Sequence, residues 1–145
     1  MRVTITSEPR LLHVLRGVVR HYAERVGFEG DEADRLCLAI DEAAANIIRH
    51  TYGNRRDGRL TLEVASFPDR LEFVLEDFGP KVQPEKIHHR PLDEVRPGGL
   101  GTLFIKTFVD ACSYDESCRE GNRLRLVKYL TGKVPAHEAR GARRE

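Results

Sequence analysis

Residues 38–52, LAIDEAAANIIRHTY, decide how the chain is read. Leu36, Ile40, Ala43 and Ile47 recur at helical spacing and predict an amphipathic helix that ends near His50, before the Gly53-Asn54 turn signal. Glu42, Asn46 and His50 follow at i, i+4 and i+8, which stacks a carboxylate and a carboxamide one turn apart on one face. The run Ala43-Ala44-Ala45 keeps the helix slim and leaves room for close approach. The plain reading is a polar helix face turned to solvent. The chemical reading starts from the carboxamide oxygen, a hard donor suited to Mg²⁺, which takes few protein ligands and fills its shell with phosphate oxygens and water. A glutamate one turn away can then act as general base on a hydroxyl or water attacking a γ-phosphate.

Towards the N-terminus, Val3 and Ile5 alternate with Arg2, Thr4 and Thr6, the pattern of a short strand at a sheet edge. Ser7 is placed to cap a first helix, with Pro9 tolerated in its first turn. Leu11, Leu15, Val18, Tyr22 and Val26 form its stripe, and Gly27 is a natural stop. Asp31 is the cap candidate for the second helix.

Towards the C-terminus, residues 59–66 and 70–76 alternate and are joined by Phe67-Pro68-Asp69, which reads as a hairpin. From residue 78 to 99 the periodicity dissolves around Pro80, Pro84, Pro91 and Pro97, with His88 and His89 read as exposed. Leu100, Leu103, Phe104 and Phe108 mark a third helix, and residues 111–117 and 123–130 a second hairpin turning at 120–122. The order β-α-α-β-β-loop-α-β-β lacks the βαβ units of a parallel sheet. It predicts an α+β fold, a two-layer α/β sandwich whose mixed, mostly antiparallel sheet carries its helices on one face. Residues 1–132 read as one domain and 133–145 as a flexible tail.

Two later segments bear on the helix. In Gly98-Gly99-Leu100-Gly101-Thr102, glycines lead into a helix, where free N–H groups and the helix dipole favour an anion. The GxxxxGK[ST] pattern of a P-loop is absent. Asp77 ends a strand, where a carboxylate can accept from the exocyclic amine of a purine, and Gly79 leaves room for the ring. Each feature alone has an ordinary structural explanation: a glycine turn, an acid in a turn.

Composition narrows the field. With 145 residues there is chain enough for one real core, and a net charge of +1 gives no global field towards nucleic acid or anionic membrane. The tail arginines Arg140, Arg143 and Arg144 lack the aromatic platform of a nucleic-acid footprint. No run approaches the roughly 20 apolar residues of a membrane span, and the N-terminal segment lacks the apolar core of a signal peptide. Cys37, Cys112 and Cys118 are odd in number and without CxxC spacing, which argues for reduced thiols.

E-x3-N-x3-H on a helix, D-x-G after a strand, a long loop and GGLG opening a helix together resemble the N, G1 and G2 boxes of the GHKL (Bergerat-type) ATP-binding fold. The resemblance runs from about residue 11 to 128 and is nearest to the bacterial anti-sigma-factor serine/threonine kinases. It is carried by LAIDEAAANIIRHTY, LEDFGP, RPGGLGTLFIKTFVD and NRLRLVKYL. It implies ATP and Mg²⁺ as cofactors, with Glu42 as catalytic base and Asn46 as Mg²⁺ ligand. Asp77 and Gly79 would hold the adenine, and Gly98, Gly99, Gly101 and Thr102 the lid and phosphates. It further implies a cytoplasmic homodimer that binds a sigma factor and phosphorylates an anti-anti-sigma antagonist of the STAS type. No nucleic-acid or membrane partner is implied. Lys81 departs from the pattern, standing where many relatives have a second glycine, D-x-G-x-G. That departure motivates the alternative of a non-catalytic, nucleotide-responsive sigma-binding module.

Overall fold

The computed structural model describes residues 1–82 and 105–130. Strand β1 (Arg2–Thr6) leads through a 3₁₀ turn (Pro9–Leu11) into helices α1 (Leu12–Arg25) and α2 (Asp31–Asn46). A π-helical turn (Ile47–Thr51) extends α2, and strands β2 (Arg59–Ser66), β3 (Arg70–Asp77), β4 (Ala111–Tyr114) and β5 (Asn122–Tyr129) follow. Residues 105–108 are helical. The glycine run with Gly98, Gly99, Gly101 and Thr102, the histidines His88 and His89, and the tail lie outside the described residues.

The strands form one sheet in the order β1-β2-β3-β5-β4, and every described pairing is antiparallel. Strand β1 takes an edge, as its short alternating pattern predicts. Strand β3 shows why the sheet has two unlike faces. Leu71, Phe73 and Leu75 are fully buried, while Arg70, Glu72, Val74 and Glu76 between them are only half-buried. The buried row packs into one core with Leu15 and Val19 of α1 and Leu36, Ile40 and Ala43 of α2. Around the rim of the helix pair, Arg16 meets Asp41 at 2.9 Å and Arg20 meets Asp34 at 2.5 Å, exposed pairs of small energetic weight.

The start of each helix differs from the sequence expectation. Ser7 does not cap α1. It is fully buried, donates from Oγ to the Arg55 carbonyl and accepts from the Gly58 amide at 3.0 Å, which stitches the end of β1 to the entry of β2. Its hydroxyl is thus engaged by a segment some fifty residues away, out of reach of local pattern reading. Asp31 is the first residue of α2 rather than its cap, and Gly30, at φ 49°, precedes it. Asp31, Glu32 and Asp34 act instead as first-turn charges on the helix dipole.

The end of α2 also differs. The α-helix stops at Asn46, and a wider turn runs on to Thr51, with the Tyr52 amide bonded to the Ile47 carbonyl at 3.1 Å. Ile47 and Ile48 are adjacent and both buried. Successive residues of an α-helix point about 100° apart, so widening the turn lets both side chains reach the core.

Candidate nucleotide site

Strand alternation places Asp77 at the end of the row that contains Leu71, Phe73 and Leu75, and so directs a carboxylate inward. It is 2% exposed. The register sets Leu60 on one side of it and Asn122 on the other. Asp77 Oδ1 accepts from the Gly79 amide at 3.0 Å and from Asn122 Nδ2 at 2.9 Å. Burial raises its pKa, and the bonds from Asn122 and Gly79 and the nearby Lys81 charge oppose that rise. Tyr114, close by on β4, is pushed up to about 12, first by burial and then by the neighbouring Cys112 and Asp77, so its phenol stays protonated.

Nothing in the local pattern around Asn122 points to a site, yet the structure gives it a central place. It is 5% exposed, donates also to the Pro80 carbonyl at 2.8 Å, and accepts from the Val82 amide at 2.8 Å. One carboxamide therefore holds both the carboxylate and the chain that leaves it. Lys81 adds a tether, its ammonium donating to the Cys118 carbonyl in the β4–β5 connection. At the position of the missing second glycine, the chain is thus pinned by a side chain.

The turn after Asp77 sits on the end of the Glu42–Asn46 helix. The Phe78 amide donates to the Tyr52 hydroxyl at 2.9 Å, and that hydroxyl donates to the Arg59 carbonyl at 2.5 Å. Gly79 packs so tightly that a Cβ there would lie 2.3 Å from Thr51 Cγ2. The close approach expected at this glycine is present, although the neighbour in this structure is Thr51. Phe78 points outward, 46% exposed, under the Arg59 guanidinium at 4.4 Å from its ring centre. An open depression beside the turn is walled by His50, Thr51, Tyr52, Gly79 and Pro80. Asp77, Asn46 and Glu42 do not line it, so geometry and chemistry, rather than this hollow, define the site.

Glu42 and Asn46 are half-buried on α2 and His50 is exposed, so the polar stripe lies at the boundary of the core. Arg49 folds back across it. Its Nη2 donates to Asn46 Oδ1 at 2.7 Å and lies 3.7 Å from Glu42 Oε2. A carboxamide oxygen and a carboxylate that jointly hold a cationic group make a donor set that fits a hard divalent cation. Among the described residues no cluster of three or more His, Cys, Asp and Glu side chains could hold a metal, so such an ion would rely on few protein ligands and on phosphate oxygens.

The profile of the histidine kinase-like ATPase domain matches residues 5–128. The chain belongs to the histidine kinase-like ATPase family. Within it, the serine-protein kinase RsbW of Bacillus velezensis is 26% identical over 145 residues, spanning 94% of this chain and 89% of that protein. RsbW of Listeria monocytogenes is 27% identical over 146 residues, spanning 94% and 90%. Among solved structures, the mycobacterial sensor histidine kinase MprB superposes with a TM-score of 0.53 at 20% identity, covering 89% of this chain and 97% of that one. The histidine kinase domain of the Erythrobacter litoralis blue-light activated kinase gives 0.54 at 15% identity over 94% of this chain, which spans only 65% of its length. These two likenesses establish the histidine kinase-like ATPase fold. No helix among the described residues is long and apolar enough to cross a membrane.

Proposed function

We propose that the chain is an ATP- and Mg²⁺-dependent protein serine/threonine kinase that binds a sigma factor and phosphorylates an anti-anti-sigma antagonist of the STAS type. The observation that carries this is the seating of the Asp77–Gly79 turn on the end of the helix that bears Glu42 and Asn46, in a histidine kinase-like ATPase chain. The RsbW relatives, named serine-protein kinases, support the reaction class. Asp77 receives the adenine amine on the carboxylate that Asn122 and Gly79 hold in place. Asn46 Oδ1 holds Mg²⁺, which when bound offsets charge on the phosphate oxygens. Glu42 takes the proton of the attacking serine or threonine hydroxyl as its O–P bond forms and the β–γ bridging bond breaks. The residues of the glycine run, Gly98, Gly99, Gly101 and Thr102, complete the phosphate cradle. The protein acts in the cytoplasm as a homodimer and forms one domain over residues 1–132.

Purified chain, Mg-ATP and the antagonist test the reading by transfer of the γ-phosphate to the antagonist. Absence of transfer to an antagonist shown to bind removes the kinase activity. The pinned Lys81 supports a second reading, a sigma-binding module that uses nucleotide only as a conformational ligand. Tight ATP binding without turnover is its signature.

A further inference from the structure

We propose that the Arg49 guanidinium is the built-in counter-cation of the Glu42–Asn46 corner, so that a divalent cation reaches Asn46 only by displacing it. The inference rests on the functional reading above for the identity of that cation. It stands otherwise on three observations.

Arg49 is an exposed side chain with open solvent available to it, yet it folds back along its own helix to Asn46 Oδ1 at 2.7 Å. The same nitrogen lies 3.7 Å from Glu42 Oε2, so one guanidinium spans both functional groups of the corner. Arg49 is the only ion-pair partner of Glu42 among the described residues. Once the guanidinium leaves, Glu42 keeps an unmatched negative charge beside a bare carboxamide oxygen.

A carboxamide oxygen engaged by a cationic N–H donor offers a metal a poorer lone pair than a free one. Metal and guanidinium therefore compete for one oxygen and for the attraction of one carboxylate. At low metal concentration the corner is satisfied internally. Loading with the metal–nucleotide complex then requires enough Mg²⁺ to displace Arg49, which gives the site a metal threshold set by the chain itself.

The test compares the wild type with Arg49→Gln, which keeps a polar side chain and removes the charge. Calorimetric titration with ADP across a series of MgCl₂ concentrations gives the Mg²⁺ midpoint for nucleotide binding. The variant is expected to lower that midpoint about two- to five-fold, the scale of one exposed charge pair. In nucleotide-free protein, the ¹⁵N-detected side-chain amide of Asn46 should shift in the variant and should titrate at lower MgCl₂ than in the wild type. A midpoint unchanged or raised in Arg49→Gln overturns the proposal. If the wild type binds no ADP at any Mg²⁺ concentration, the functional reading fails. The Asn46 amide titration then decides the proposal alone: equal MgCl₂ midpoints in the two proteins overturn it, and a lower midpoint in the variant supports it.

Discussion

Asn122 and Asp77 face each other across the β3–β5 pair, and Asn122 Nδ2 donates to Asp77 Oδ1 at 2.9 Å while the same side chain grips Pro80 and Val82. Asn122→Ala strips a buried carboxylate of a donor and leaves the Pro80 carbonyl and the Val82 amide without their partner. A stability loss of about 1–3 kcal/mol is expected from thermal unfolding. Nucleotide affinity should fall with it, as read by calorimetry.

Asp77→Asn should separate stability from binding. Burial raises the Asp77 pKa in the folded state, so its ionised form weighs against folding at neutral pH. The asparagine keeps an oxygen for Gly79 and Asn122 and carries no charge. The variant should therefore melt higher than the wild type at pH 7. Stability of the wild type falls as pH rises from the ordinary aspartate range through the raised value, so the gain should vanish on acidification below the unfolded pKa. Adenine nucleotide affinity should drop about 10–100-fold, the worth of a hydrogen bond to a charged acceptor. A variant that loses stability at pH 7 contradicts the account of Asp77 as a costly, retained charge.

Two glycines near Asp77 should respond differently to the same substitution. Gly79→Ala sets a methyl 2.3 Å from Thr51 Cγ2, an overpacking cost of about 1–3 kcal/mol. Trimming the partner by Thr51→Ser should recover much of it in a double-mutant cycle. Gly121→Ala sets its methyl 1.9 Å from the Asp77 carbonyl oxygen at φ +65°, against backbone and in a left-handed conformation. No side-chain change should rescue it. Urea unfolding of the four variants measures both effects.

Glu42→Ala should slow phosphotransfer by about 10²–10⁴-fold if Glu42 is the base. Glu42 is half-exposed and contacts only Arg49 among the described ion pairs, so the melting temperature should barely change. Retention of the full single-turnover rate removes the assigned role.

Alternation and helical periodicity make the layer architecture legible. Strand β2 lies at the residues read from the sequence, and β3 runs one residue further, to Asp77 itself. That single residue matters, because the same alternation that buries Leu75 also turns Asp77 inward. Glu42, Asn46 and Asp77 are visible as residue types in a local pattern. Asn122 is not, because its role arises from register between strands far apart in the chain. Arg49 is hidden for another reason: the reach of a long side chain back along a helix depends on rotamers rather than on spacing. Ser7 looks like a cap because a serine before a proline-led helix is one locally, and only packing against the Arg55–Gly58 turn consumes its hydroxyl.

The widened turn at Ile47–Thr51 has an evolutionary corollary. It accommodates one more residue per hydrogen-bonded ring than an α-turn, so losing any single residue there would restore an ordinary helix and rotate everything after it by about 100°. The Tyr52 hydroxyl would swing away from both Arg59 and Phe78, and the seat of the Asp77 turn would go with it. Substitutions of exposed residues in this stretch should be forgiven more readily than insertions or deletions. Homologous chains that bind nucleotide in the same way should conserve its length more strictly than its composition.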